Sequence, residues 1–158
     1  MKRLVVVGAL LGGMFAVVPL AVYAQSQPPH HVMLTPAELT WTDSATLPGA
    51  KIVVIEGSLN EAVPFTIRLK FPANYKIPAH WHPAIEHVTV ISGTLNLGIG
   101  DKLDTDKTTA LTAGSIAIMQ PKTAHFVWTK EETITQVHGI GPWGVTFVNP
   151  ADDPRKQK

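Results

Sequence analysis

The sequence predicts an all-β domain, a sandwich or barrel of short strands. Three observations carry that. Apolar or alternating runs recur at roughly 8–12-residue spacing. Thirteen Pro and twelve Gly in 158 residues supply many turns. Helical periodicity is almost absent. Lys51–Glu56 is a β-branched run ended by Gly57. Pro64 to Phe71 alternates, with Phe65, Ile67, Leu69 and Phe71 on one face and Thr66, Arg68 and Lys70 on the other. Val88–Ile91 is apolar and closed by Ser92-Gly93, and Leu95, Leu97 and Ile99 are in phase across 94–99. Residues 101–109 read as a polar, solvated loop. Runs at 115–119, 125–129, 133–140 and 145–148 complete the set. The length suits one domain, spanning residues 41–150, with no internal repeat.

The flanks read differently. Lys2 and Arg3 precede an apolar stretch, Leu4 to Val22, and Val22-Tyr23-Ala24 fits a signal-peptidase site. Residues 1–24 are therefore expected to be a cleaved signal peptide, and the protein to be exported, periplasmic or extracellular. The other reading is an uncleaved anchor, which Gly8, Gly12, Gly13 and Pro19 weaken. Residues 25–40 read as a flexible lead-in. Within it, Thr35-Pro36-Ala37-Glu38 makes a short helix start, with Thr as cap, Pro first and Glu third. Residues 151–158 form a charged tail expected to fray.

Composition excludes several chemistries. With no cysteine there is no thiol nucleophile, disulfide, Cys-bound zinc or iron–sulfur cluster. Thirteen basic against twelve acidic residues leave no electrostatic footprint for nucleic acid. Without Lys2 and Arg3 the balance is 11 to 12, one net negative charge. No membrane association is expected once the signal peptide is removed. There is no G-x-S-x-G elbow, and Gly98-Ile-Gly100-Asp-Lys follows no βαβ pattern. Asp101, Asp104 and Asp106 miss the spacing of a calcium loop.

The informative stretch is Pro78-Ala-His80-Trp-His82-Pro-Ala-Ile-Glu86-His87-Val-Thr-Val-Ile-Ser-Gly93. His80 and His82 share a parity, so on extended chain both imidazoles reach one ion. Glu86 has the same parity beyond the interruption at Pro83, and a carboxylate beside two imidazoles suits a divalent first-row metal. A one-residue slip after Pro83 would turn His87 inward in its place; spacing favours Glu86. Trp81 should face away from His80 and His82, and Phe126 and Trp128 away from His125. Those three aromatics are expected to pack on an outer face, against a neighbouring sheet or a partner subunit. Phe65, Ile67, Leu69 and Val90 are candidates for an apolar pocket wall or for plain core.

This stretch resembles the first motif of the cupin family: H-x-H, three residues, Glu, six residues, Gly. His80, His82, Glu86 and Gly93 meet those spacings, with Asn74 where the family has a leading glycine. Gly114-Ser-Ile-Ala-Ile-Met-Gln-Pro-Lys-Thr-Ala-His125 is similar to the second motif. Here Pro121 comes one place late, Lys122 replaces the turn glycine, and Thr129 stands for the closing Asn. The resemblance spans residues 60 to 148. It implies a jelly-roll-like cupin β-barrel holding one divalent transition metal ion (Fe, Mn, Cu, Ni or Zn) on His80, His82, Glu86 and His125. Glu86 and His138 are the candidate acid–base groups; His138 reads equally as a half-exposed strand histidine. His30 and His31 are bystanders.

Two functions are compatible with these residues. One is a metal-dependent enzyme, a dioxygenase first, acting on a small organic substrate such as an enol or phenol. The other is a non-catalytic metal- or small-ligand-binding module of the cell envelope. Arg68, the only Arg between the leader and the tail, has outward parity, which argues against sugar phosphates or oxalate. Cupins often dimerise through their sheets, so a homodimer is the expected assembly.

Overall fold

The computed structural model describes residues 31–156. The chain divides into two units, Met1–His31 and Val32–Lys158, and the second holds every strand among the described residues. The expected signal peptide of residues 1–24, His30 and the last two residues of the tail lie outside the described residues.

Eleven strands form two antiparallel sheets. They are β1 (Thr42–Asp43), β2 (Lys51–Glu56), β3 (Pro64–Phe71), β4 (Lys76–Trp81), β5 (Glu86–Ser92) and β6 (Thr94–Ile99). They continue with β7 (Thr109–Thr112), β8 (Ile116–Met119), β9 (His125–Thr129), β10 (Thr133–Ile140) and β11 (Thr146–Phe147). One sheet has the order β1-β2-β3-β10-β5-β8 and the other β11-β4-β9-β6-β7. The all-β expectation holds and the architecture is jelly-roll-like. Closure into a barrel does not occur: among the described residues no ladder joins the sheets, and each keeps two edge strands. The strands β1 and β7, and the strand character of 76–81, carry no alternation strong enough to show in the sequence.

Alternation fixes which side of each strand is dry. Along β3, Phe65, Ile67, Leu69 and Phe71 are buried while Thr66, Arg68 and Lys70 are half-buried on the other face. Facing residues of β5 and β10 join them: Val88 and Val90, with Val137. From the second sheet come Ile77, Leu95, Leu97 and Val127. Each fully buried aliphatic or aromatic side chain contributes about 1.5–3 kcal/mol. This core lies between the sheets, and a small cavity opens within it.

Three local features position the site. The pairing of β4 with β9 shifts register between Ile77 and His80, an irregularity that lets both side chains face inward although they are three apart. Gly93, with φ +75°, turns β5 into β6 where an added Cβ would sit 2.4 Å from the Glu132 carbonyl oxygen. Asn74 and Lys122, the two substitutes for family glycines, both keep left-handed backbone, at φ 61° and 62°. The Lys122 N–H donates to the His82 carbonyl at 2.8 Å, so the second motif's turn is pinned to the first motif.

The outer face of the second sheet corrects one expectation. Residues 101–109 are not merely solvated. The loop packs on Phe126, which is 1% exposed, and Trp128 Nε1 donates to Thr108 Oγ1 at 3.3 Å. Gly98 makes room: a Cβ there would lie 2.3 Å from the Phe126 ring. The chain's own loop covers Phe126 and reaches Trp128, which stays half-buried. In the lead-in, Pro36–Glu38 is a single 3₁₀ turn, where the Glu38 carboxylate accepts from the Thr35 N–H at 2.7 Å. Within 150–156 only Asp153 is buried. Arg155 forks onto buried Asp153 at 2.7 and 2.8 Å and reaches the Val145 carbonyl at 3.2 Å. Among the described residues no helix is long and apolar enough to cross a membrane.

Candidate metal centre

The two motifs meet across one ladder. His80 on β4 and His125 on β9 are direct cross-strand partners, with ring centroids 4.3 Å apart. His82, just beyond β4, lies 5.1 Å from each of them. One nitrogen from each of the three rings falls within 4.8 Å of the others, a group that could hold a metal ion. Glu86 faces them from β5 in the opposite sheet. Its Oε2 is 3.3 Å from His82 Nε2 and 3.5 Å from His125 Nε2. All four side chains are 2–4% exposed.

The tautomers follow from the backbone. His80 Nδ1 lies 2.8 Å from the Pro78 carbonyl oxygen, His82 Nδ1 2.8 Å from that of Gly144, and His125 Nδ1 2.9 Å from that of Thr123. A carbonyl only accepts, so each Nδ1 donates. In a neutral imidazole that leaves every Nε2 as a bare lone pair turned on the centre. Burial, reinforced by His125 and His82, pushes the His80 imidazolium down to about 3, so that ring is neutral at ordinary pH. Burial alone would raise the Glu86 carboxyl. Positive charge at the His125 and His82 nitrogens, which a proton or a metal ion supplies, outweighs burial and holds it well below the usual carboxylate range.

The result is an arrangement short of a cation. His82 Nε2 and Glu86 Oε2 are buried without a hydrogen-bond partner, and they sit acceptor against acceptor. A divalent metal satisfies both, and three imidazoles with one carboxylate are a donor set that first-row ions accept. The Nδ1–carbonyl bonds are the outer-layer contacts that orient such ligands.

The Glu86 or His87 alternative is a matter of side-chain direction, and Glu86 is the inward residue. His87 lies on the outer face of its sheet, where it pairs with His138 across the β5–β10 ladder; the rings stack at 4.9 Å and 10°. His138 is therefore not brought to the cavity. Its neighbour Val137 lines the cavity instead, and the expectation of an acid–base His138 in the pocket is not met. His31, the first described residue, is exposed.

The cavity is small, about 40 Å³, where one water needs about 10–15 Å³. Its wall is largely aliphatic, with Leu69, Val88, Leu97 and Val137 beside the four polar residues. Of the four expected wall residues only Leu69 lines it; Phe65, Ile67 and Val90 belong to the core. Thr135 and Trp143 line it as well. Sequence reading gave neither a role. Trp143 lies in the 141–145 segment, which has no periodicity, and only the folded structure reveals it stacked on His82 at 4.6 Å and 16°.

Residues 67–138 match the family model described as the cupin domain. This chain belongs to the cupin superfamily. No curated protein matches it. Solved structures resemble it in fold at low identity. The polyketide cyclase RemF from Streptomyces resistomycificus is 14% identical, with TM-score 0.66 over 80% of this chain and 92% of that one. An acetylacetone dioxygenase from Acinetobacter johnsonii is 13% identical, with TM-score 0.60 over 80% and 83%. An RmlC-like cupin from Shewanella frigidimarina is 15% identical, with TM-score 0.55 over 70% and 89%. The cupin's motif residues thus converge on one buried cluster that spans both sheets.

Proposed function

We propose that this cupin is an exported, metal-dependent enzyme of the dioxygenase type, acting on a small organic substrate. His80, His82, Glu86 and His125 hold one divalent transition metal ion. The single observation that carries the reading is the buried Glu86–His82 contact, with Glu86 Oε2 and His82 Nε2 3.3 Å apart and neither atom given a hydrogen-bond partner. A divalent cation in the midst of three carbonyl-locked imidazoles satisfies both atoms at once. A bound metal of this kind supplies Lewis acidity and, when redox-active, one-electron chemistry toward oxygen. The protein's own contribution is to fix the ligand directions, keep His80 neutral and exclude bulk water with an aliphatic wall. Four protein ligands leave open positions on a five- or six-coordinate ion for substrate and oxygen. The fold neighbours include an acetylacetone dioxygenase, which keeps small enolisable carbonyl compounds first among substrates. Export rests on residues 1–24 and places the site outside the cytoplasm.

The test is elemental analysis of untagged mature protein, followed by oxygen uptake on small enols, diones and catechols. One metal per chain is expected, with uptake abolished in His125→Ala. Uptake unchanged by that substitution removes the enzyme reading. Full occupancy with no uptake on any substrate establishes instead the second reading, a binding module of the cell envelope. The smallness of the cavity favours that second reading.

A further inference from the structure

The three ligand imidazoles are not aimed in the same way. His80 and His125 each donate from Nδ1 to the carbonyl two residues before them, Pro78 and Thr123, so ring and prop belong to one local stretch of chain. His82 donates to Gly144, 62 residues further along. Its direction therefore depends on where residues 141–145 lie. That segment joins β10 to β11 and belongs to no strand. It grips His82 twice: the Gly144 carbonyl takes the Nδ1–H, and the Trp143 ring stacks on the imidazole at 4.6 Å. Trp143 and Val145 also line the cavity, whose other lining residues come mostly from strands.

A ladder yields only when several bonds part together, whereas this strap is tied at a few points. The Gly141 N–H donates to the Val63 carbonyl at 2.9 Å, and the Trp143 N–H to that of Leu59 at 2.8 Å. At the other end the Val145 carbonyl, one residue on from that of Gly144, accepts from Arg155 Nη2 at 3.2 Å. The guanidinium is itself held, because Nε and Nη2 fork onto the two oxygens of buried Asp153 at 2.7 and 2.8 Å. Such planar, charge-assisted pairing fixes direction. The peptide that carries the Gly144 carbonyl thus has latched Val145 on one side and a loose joint on the other. Gly144 lies outside the left-handed region, and an added Cβ would meet no atom within 4 Å. Neither backbone nor space demands glycine there, and what glycine adds is freedom to turn.

We infer that Arg155 is a positioning residue for the metal centre. By holding the Val145 carbonyl it keeps the Gly144 peptide turned on His82, and an ion is released when that peptide swings away and His82 follows. This rests on the proposed metal site and deepens it, because it names the ligand that lets go first and the group that restrains it.

Protein loaded with zinc is chased with excess chromophoric chelator, and the release rate is followed by stopped flow. Arg155→Ala is expected to release zinc about tenfold faster, as for loss of a contact one layer out from a ligand, with stoichiometry unchanged. Gly144→Ala is expected to release it about threefold more slowly, because alanine stiffens the joint. A merely structural Arg155 would speed release whichever ligands remain. The same substitution is therefore made in His82→Ala, where the latch has nothing left to aim and its loss should change the rate less than about twofold. An unchanged rate in Arg155→Ala overturns the inference. So does an equal acceleration in both backgrounds, or a Gly144→Ala protein that releases zinc no more slowly than wild type. Should Arg155→Ala fold poorly, or His82→Ala hold no zinc, amide hydrogen exchange of the wild type reads the same motion. The Trp143 N–H is expected to exchange faster than the ladder amide of Val127 and to slow when zinc is added. Exchange unaltered by zinc overturns the inference. The two levels separate cleanly: a wild type that takes up no zinc sinks the metal site itself, whereas zinc bound without these effects sinks only the role of Arg155.

Discussion

The two faces of β5 and β10 carry almost the same chemistry and put it to different ends. Inward on β5, Glu86 is held by imidazoles in a dry cluster; one residue on and outward, His87 stacks on His138. Inward on β10, Val137 lines the cavity; outward, His138 and Gln136 meet His87 and Arg68. Imidazoles thus stand on both sides of one sheet, and parity alone sorts ligands from bystanders. The lesson is that residue type nominates a metal ligand and side-chain direction selects it.

That comparison can be broken most sharply at neighbouring positions. Glu86→Ala is expected to weaken zinc binding by more than the roughly 10–100-fold typical of losing an outer-layer partner, whereas His87→Ala keeps it within about threefold. Competition with a chromophoric chelator reads both. Equal losses would mean that the outer histidine pair also holds the ion. A smaller effect is expected for packing. Val137→Ala should cost about 2 kcal/mol in urea unfolding, while Gln136→Ala, which gives up one half-buried hydrogen bond from Arg68, stays within about 1 kcal/mol. The smallest effect tests the turn that ties the motifs together. Lys122→Gly removes a left-handed non-glycine residue and should stabilise the fold by about 0.5–1 kcal/mol, since the relieved strain exceeds the entropy a glycine adds. A fall in stability would show that the lysine side chain contributes something the backbone does not.

Much of the site is legible in the chain itself. The same-parity spacing of His80 and His82, then Glu86 after Pro83, is written there, and His125 follows from the second motif. His138 was not legible, for a specific reason. The inward set of β10 is Thr133, Thr135, Val137 and Gly139, and the outward set is Ile134, Gln136, His138 and Ile140. Neither is clearly the more apolar, so alternation there has no sign. The register shift before His80 was invisible because it breaks the period that sequence reading relies on. Trp143 could not be found either, since a loop residue has no parity. The missing barrel closure has a similar origin: strand pattern gives the number of strands and their dry sides, while joining two sheets depends on ladders between residues distant in the chain.

The three Nδ1–carbonyl contacts carry one more consequence. Pro78, Gly144 and Thr123 lend main-chain oxygens, which side-chain substitution does not delete, so the imidazoles are aimed before any ion arrives. Capture then freezes few rotors, and little of the attraction between ion and nitrogen is lost to ordering. An ion taken up there would meet ligands already aimed at it, and its capture would call for no refolding.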